Sequence, residues 1–224
     1  MNLIKQKVKS HLLKKQNEID SANRARLKNK DISLICSNCT GGIIYHWLGL
    51  KFNSPFINLY MTGEEYIKAL ENWKEFLDAE IVEDTSADET YPVGIGYSGI
   101  KIHFMHYVTF DEALKKWNQR KVRIKSDNIA FMFTNYAGGY TLLERFDRLP
   151  FQHKVVFTDE KYPDIKSAVY LKGFKRFCKL YRKFKKNGVP NIWMTQNLIT
   201  GKRFIDQFDY VSWFNSITED EKDE

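Results

Sequence analysis

The chain has 224 residues, of which 43% are hydrophobic and 15% aromatic, and its formal net charge is +7. This composition excludes a disordered chain, and no apolar run approaches the roughly 18 residues that a membrane span needs. The first thirty residues contain no signal-peptide core, and three cysteines suit a reducing compartment better than a disulfide framework. The sequence therefore predicts a cytoplasmic protein.

The charge is unevenly distributed along the chain. The tail at 219–224 is strongly acidic, whereas residues 1–30 and 172–186 are strongly basic. Basic stretches attract polyanions in general, including anionic lipid, nucleic acid and phosphorylated metabolites. We divide the chain into a basic N-terminal helix at 1–30, an α/β domain at 31–215 and an acidic disordered tail at 216–224.

Helices and strands alternate in the first half of the sequence. Compact apolar runs predict strands, and apolar residues at helical spacing predict helices. In chain order these elements are a helix at 3–16, a strand at 32–36, a helix at 43–50, a strand at 56–61 and a helix at 62–77. The last helix begins with a capping box, in which Thr62 is the cap and Glu65 stands three residues further on.

The second half continues the same alternation. Its predicted elements are a strand at 100–108, a helix that starts at Thr109, a strand at 128–133, a helix that ends at Phe146, a strand at 154–158 and a basic helix at 173–186. Gly138-Gly139 precede the helix that ends at Phe146.

Two segments match at a constant offset, with Ile32 on Ile129 and Asn38 on Asn135. In both segments a strand is followed by Asn-x-x-Gly-Gly, a helix and a second strand, which is the order of a βαβ unit. The predicted fold is α/β, with a mainly parallel sheet and helices on both faces, built from two βαβ-like units related by internal duplication.

The first glycine turn, Ser37-Asn38-Cys39-Thr40-Gly41-Gly42, is the main candidate for a functional site. Ligands of such sheets bind at the carboxyl ends of the strands. Glycines let the backbone approach a ligand, and the N-terminus of the next helix favours negative charge. The predicted substrate-binding residues of the two turns are Ser37, Asn38, Gly41, Gly42 and Asn135.

Cys39 is a candidate catalytic nucleophile, because the same helix N-terminus would favour its thiolate and lower its pKa. In a second interpretation the glycines only make a tight turn and Cys39 is a packed residue. A third treats Cys36 and Cys39 as a Cys-x-x-Cys pair, but the second ligand pair of a zinc site is missing.

His103 and His106 are the other candidates for chemistry. Residues three apart on a strand point to opposite faces, so these two histidines cannot share a metal ion unless a bulge intervenes. We prefer His103, on the same face as Lys101, as a catalytic base, and interpret His106 as a core residue. The sequence predicts no metal site and no cofactor.

The basic helix at 173–186 has two interpretations. Its aromatic residues recur at helical spacing among the basic ones: Phe174, Phe177, Tyr181 and Phe184. Such a stripe either lies on an anionic membrane or faces the core while the basic side chains face water. The N-terminal helix is open to the same two interpretations.

Several blocks between residues 30 and 210 resemble one family. The blocks are 37–42, 48–50, 54–56, 91–94, 100–104, 106–107, Trp117, Arg120, Arg123, 146–150, 154–158 and 162–174. Together they resemble an uncharacterised bacterial family, a domain of unknown function whose members are often labelled exopolysaccharide or capsule biosynthesis proteins. The family pattern reads Ser-Asn-Asn-Cys where this chain has Cys36-Ser37-Asn38-Cys39, so the amide expected at position 37 is a hydroxyl here.

The resemblance implies a role in making surface polysaccharide, without an established reaction. We expect a transferase that acts on a sugar or phosphorylated-sugar substrate. Arg120 and Arg123 would hold an anionic group, since a guanidinium suits phosphate or carboxylate. The alternative is a non-catalytic binding or scaffolding protein at the inner face of the membrane. No recognised motif supports nucleic-acid binding.

Overall fold

The computed structural model describes residues 3–135, 139–184 and 190–217. Four predictions extend outside these ranges, namely residues 1–2 of the N-terminal helix, Gly138 of the second turn, positions 185–186 of the basic helix and the acidic tail from residue 218. In chain order the strands are β1 (Ser33–Cys36), β2 (Val82–Glu83), β3 (Val93–Ile95), β4 (Lys101–His103), β5 (Ile129–Asn135), β6 (Lys154–Thr158) and β7 (Ala168–Tyr170). The helices are α1 (Leu3–Arg26), α2 (Thr40–Leu48), α3 (Gly63–Glu71), α4 (Trp73–Asp78), α5 (Phe110–Lys121), α6 (Tyr140–Arg148), α7 (Phe174–Phe184) and α8 (Tyr210–Ile217).

Four strands form a parallel sheet in the order β1-β5-β6-β7, and β2, β3 and β4 form a small antiparallel sheet. Ser33 is the register partner of Ile129 and Cys36 that of Met132. The expectation that the segments 32–36 and 129–133 are parallel in one sheet is therefore confirmed. Their carboxyl ends lie at the same edge of the sheet.

Each face of the parallel sheet is covered by helices, as expected for an α/β protein. Successive strand residues point to opposite sides, so Ile35 and Phe131 join one hydrophobic cluster while Leu34 and Met132 join another. The first face, with Ile35, is covered by α3, α4, α5 and α6. The second face is covered by α2, α7 and α8, and α1 packs against α2 and α8.

The internal duplication is not supported. Its alignment equates Leu34 with Phe131, but these side chains lie in clusters on opposite faces of the sheet, and Leu34 is the register partner of Ala130. The duplication also makes α2 equivalent to α6, but α2 covers the second face of the sheet and α6 covers the first. Two copies of one βαβ unit would place their helices on the same face, because the crossover has a fixed hand.

The predicted strand at 56–61 is wrong. Tyr60 alone makes a β-bridge, with His103, and Asn58 has a left-handed φ of 63°. The segment is a buried irregular connection, with Phe56 in the cluster of the first face and Ile57 in that of the second. The predicted strand at 100–108 is also shorter, because only residues 101–103 pair with β3.

The helix predicted at 62–77 is divided at Asn72 into α3 and α4. Its capping box is confirmed, since the Thr62 hydroxyl accepts from the Glu65 N–H and the Glu65 side chain accepts from the Thr62 N–H. Thr109 caps α5 as expected. The sequence predicts none of three strands, β2, β3 and β7, and it does not predict helix α8. This helix includes positions 216–217 of the predicted disordered tail.

The aromatic stripe of the basic helix faces the core. Phe174 is buried, and the rings of Phe174 and Phe177 each lie 4.9 Å from that of Phe204. Lys175, Arg176 and their basic neighbours on α7 remain in water. Of the aromatic side chains described on α7, Phe174 is buried and Phe177 and Tyr181 are half-buried. Among the described residues, no helix is long and apolar enough to span one.

Candidate functional site

The first glycine turn connects β1 to α2 at the carboxyl edge of the parallel sheet. Asn38 shapes this turn, because its Oδ1 accepts from the Thr40 N–H at 3.0 Å and from the Thr40 hydroxyl at 2.6 Å. Ser37 is buried, and its backbone bonds join it to Met132 on one side and Met61 on the other. The amide nitrogen of Asn38, rather than its oxygen, is the group left for a ligand.

The two glycines of the turn have different roles. A Cβ on Gly41 would lie 2.9 Å from the Cys36 Sγ, so close packing of α2 on β1 requires glycine there. The Gly41 N–H is also directed to the Cys36 thiol. Gly42 is half-buried, and a Cβ there would make an ordinary contact with Ile57 at 3.5 Å. The backbone N–H of Gly42 is therefore the better candidate for ligand binding.

Cys39 is half-buried beside the segment 59–61. Its Sγ lies 3.8 Å from the Leu59 carbonyl oxygen and 4.0 Å from the Met105 Sδ. Burial raises the pKa of the Cys39 thiol, whereas the sequence predicted a lowered value. The helix N-terminus does not outweigh the loss of hydration, because only the residue's own N–H favours the thiolate. At neutral pH Cys39 is a protonated thiol.

His103 lies at the end of β4 in an aromatic environment. Its ring stacks on Tyr60, with centroids 4.3 Å apart and an interplanar angle of 14°, and the edge of Tyr91 completes the group. The two tyrosine hydroxyls are 3.2 Å apart. His103 Nδ1 is buried without a hydrogen-bond partner. Burial lowers the pKa of His103, opposed by the carboxylates of Glu65 and Glu89, so the imidazole is neutral at pH 7.

The segment 59–61 brings these elements together. Tyr60 and His103 exchange two backbone hydrogen bonds of 2.9 and 3.0 Å, and the Met61 N–H donates to the Ser37 carbonyl. Cys39 lies against Leu59 on one side of the segment, while His103 lies against Tyr60 on the other. Met105, two residues after His103, touches the Cys39 thiol. Cys39 and His103, distant in sequence, therefore border one region.

The other predicted site residues are placed differently. Asn135 is buried at the carboxyl end of β5, next to β1, and so lies at the same edge of the sheet. Arg120 donates to the Tyr107 hydroxyl at 2.7 Å and lies over the Phe52 ring at 5.2 Å. Arg123 donates to the Phe52 carbonyl. None of these contacts involves Cys39 or His103, and both arginines hold the chain around Phe52.

Sequence reasoning missed Tyr60, Tyr91 and Met105 at this site. Tyr60 was assigned to a strand, and Tyr91 belongs to a loop with no periodic signal. His106, interpreted as a core residue, is exposed. Within the described ranges, no group of three or more His, Cys, Asp or Glu side chains could hold a metal ion.

Comparison with known proteins identifies the family. A family model described as a domain of unknown function (DUF1919) matches residues 10–215. The chain belongs to this family. A relative from Haemophilus influenzae, described as an uncharacterized protein, is 39% identical over 212 residues, which cover 94% of this chain and 97% of the relative. The expected membership of a family of unknown function is confirmed, whereas neither match carries the exopolysaccharide or capsule label.

Proposed function

We propose that this DUF1919 protein is an enzyme of surface-polysaccharide assembly that transfers a group to or from a sugar. The observation that carries the proposal is that Cys39 and His103 both lie against the segment 59–61, which is hydrogen-bonded to Ser37 after the carboxyl end of β1. The carboxyl edge of an open α/β sheet is where such proteins bind ligands. The polysaccharide context comes from the sequence resemblance.

The chemistry at this site suits a hydroxyl acceptor. His103 is neutral at pH 7, because burial lowers its pKa, and a neutral imidazole accepts a proton. In the proposed step the acceptor hydroxyl gives its proton to His103 while its oxygen bonds to the transferred group. The bond from that group to a phosphate leaving group breaks, and its electron pair leaves with the phosphate oxygen.

The neighbouring side chains suit a sugar. Tyr60 and Tyr91 offer aromatic faces together with hydroxyl groups, which match the apolar face and the hydroxyls of a pyranose ring. Asn38 and Asn135 add amide groups at the same edge of the sheet. Because Cys39 is a protonated thiol, it lines the site in this proposal and does not attack the substrate.

The experiment uses a strain that lacks the gene and measures surface polysaccharide after complementation. His103→Gln removes the base and is expected to restore little or no polysaccharide. His106→Gln is the matched control, because this exposed histidine lies three residues further on and should complement fully. Full complementation by folded His103→Gln would refute a catalytic role for this residue.

A second candidate function is a scaffolding protein at the inner face of the membrane, and one surface favours membrane attachment. Ile4 and Val8 of α1 are exposed beside Lys5 and Lys9. A loop with exposed Leu198 and Ile199 lies along the same helix, where His11 Nε2 is 3.0 Å from the Ile199 carbonyl oxygen. We call these six residues, Ile4, Lys5, Val8, Lys9, Leu198 and Ile199, the α1 surface.

Apolar side chains flanked by lysines are suited to an anionic lipid surface. Attachment through the α1 surface is compatible with either function. The His103→Gln experiment distinguishes the transferase from the scaffolding protein, because a scaffold would not need the imidazole.

A further inference from the structure

A cleft lies at the carboxyl edge of the sheet, and neither Cys39 nor His103 lines it. It is an open cleft of about 530 Å³ between the ends of β6 and β7 and the first turns of α7. Its lining comes from two chain segments and from α7: Asp159, Glu160, Lys161, Tyr170, Gly173, Lys175, Arg176 and Lys179. Four of these side chains are cationic and two are carboxylates.

The positive charge of this cleft is only partly neutralised within the protein. Lys175 pairs with Glu160, and Lys161 Nζ lies 5.9 Å from the centroid of the Tyr170 ring. Arg176 and Lys179 are exposed, and neither belongs to an ion pair among the described residues, whereas Lys175 beside them does. They are three residues apart on α7 and therefore share one face of the helix. An anion in the cleft can therefore be bound by Lys161 on one side and by Arg176 and Lys179 of α7 on the other.

The chemistry of the lining selects among anions. A guanidinium with two ammonium groups matches the several oxygens of a phosphate or diphosphate better than a single carboxylate. The carboxylates of Asp159 and Glu160 can accept hydrogen bonds from sugar hydroxyls. The cleft therefore combines groups for phosphate with groups for hydroxyls.

The position of the cleft connects it with the first site. β5 alone separates β1 from β6, so the two carboxyl ends are roughly 10 Å apart at the usual strand spacing. Asn135 ends the intervening strand. A phosphate bound in the cleft therefore lies about two strand spacings from the carboxyl end of β1, which the Cys39 turn follows.

We propose that this cleft binds the diphosphate of a sugar diphosphate substrate, with Lys161, Arg176 and Lys179 as the phosphate ligands. The assignment of the sugar rests on the proposed function, whereas the binding of phosphate does not. The basic stretch at 172–186 gains a specific role in this way. Phe174 and Phe177 of this stretch pack in the core, and its first basic residues bind the substrate.

The test is isothermal titration of the full chain with inorganic pyrophosphate at constant ionic strength. Wild-type protein is expected to bind pyrophosphate more tightly than orthophosphate. The double variant Arg176→Gln/Lys179→Gln should weaken binding about tenfold or more, because two charge-assisted contacts are lost. Lys161→Gln tests the opposite side of the cleft independently and should also weaken pyrophosphate binding. Lys74→Gln/Lys115→Gln, two exposed lysines on α4 and α5, is the charge-matched control and should bind as wild type does.

The outcomes separate the two proposals. Absence of pyrophosphate binding by the wild type, or an equal loss in the control variant, would overturn the phosphate cleft. Pyrophosphate binding that depends on Arg176 and Lys179, combined with full complementation by His103→Gln, would retain the cleft and reject the proposed catalytic function. Circular dichroism melting of each variant verifies that it is folded.

Discussion

The imidazole of His103 lies nearly parallel to the ring of Tyr60, with the ring centroids 4.3 Å apart. The same two residues are joined by a pair of backbone hydrogen bonds, so the stack is fixed by the main chain as well as by the rings. This arrangement removes water from one face of the imidazole and favours its neutral form. It therefore sets the protonation state of the proposed base.

The lowered pKa of His103 predicts a pH dependence of stability. An unfolded chain binds this proton near pH 6.5, whereas the folded protein binds it only at lower pH. Below pH 6.5 the unfolded state therefore binds more protons than the folded state. The contribution of neutral His103 to the free energy of unfolding is present above pH 6.5 and is lost as the pH falls. Between pH 7.5 and 5.5, the free energy of unfolding measured in urea should fall less for His103→Gln than for wild type. His106→Gln should behave as wild type, and an unchanged loss in His103→Gln would contradict the assignment.

The raised pKa of Cys39 predicts slow alkylation at neutral pH. Its reaction with iodoacetamide at pH 7 should be slower than that of a model peptide thiol, whose pKa is about 8.5, and should accelerate as the pH rises further. Mass spectrometry identifies the labelled position, and Cys39→Ser is the control for it. Cys39→Ser should also restore surface polysaccharide. Labelling faster than the peptide at pH 7, or failure of Cys39→Ser to complement, would restore the nucleophile hypothesis.

The strands of the parallel sheet were predictable where local sequence determines them. The apolar run of β1 and the β-branched and aromatic runs of β5 and β6 are typical of buried strands, and these three elements lie where the pattern predicts them. The segment 56–61 has an equally apolar pattern without forming a strand. Its hydrogen bonds go instead to Pro55, Ser37 and His103, which a local pattern does not contain.

The candidate site was predictable in part for the same reason. The turn at Asn38 and Cys39 follows a strand that the sequence identifies, so its place at the sheet edge could be inferred. The position of this turn relative to His103 depends on the long-range β-bridge between Tyr60 and His103. The pKa of Cys39 depends on its burial against Leu59 and Met105. Neither contact leaves a signal in local periodicity.

Gly41 is predicted to be intolerant of a side chain. An alanine Cβ there would lie 2.9 Å from Cys36 Sγ, so Gly41→Ala should lower the free energy of unfolding by about 1–3 kcal/mol. Gly42→Ala is the matched control, because its Cβ would make an ordinary contact at 3.5 Å. Removing the sulfur should relieve the clash, so Gly41→Ala/Cys36→Ala should be less destabilised than the two single variants together. Additive effects in this double-mutant cycle would refute the contact.

The buried ion pair of Arg203 with Asp20 is predicted to anchor α1. Arg203 donates to both carboxylate oxygens of Asp20 at 2.7 and 2.9 Å, and its guanidinium lies 3.6 Å from the centroid of the Trp47 ring. Arg203→Met leaves Asp20 as a buried charge without its partner and should cost about 3–5 kcal/mol in urea unfolding.

Arg26 and Asp209 provide the matched control for this anchor. They join the same helix to the same region of the chain, but both side chains are about half exposed. Arg26→Met should therefore cost less than about 1 kcal/mol. An equal decrease in the free energy of unfolding in the two variants would show that the buried pair stabilises the fold no more than the exposed pair.

The α1 surface predicts binding to anionic membranes. Sedimentation with vesicles that contain phosphatidylserine should exceed sedimentation with neutral vesicles and should weaken as salt rises, because exposed charges are screened over about 8 Å at physiological ionic strength. Lys5→Gln/Lys9→Gln should lower the affinity about fivefold for each lysine, from roughly 1 kcal/mol per charge near the surface. Leu198→Asn/Ile199→Asn should also weaken binding, whereas Val122→Asn, an 80% exposed valine elsewhere, should not. Equal sedimentation with neutral and anionic vesicles would exclude this attachment, and loss of binding in the lysine variant alone would show that the apolar residues do not enter the lipid.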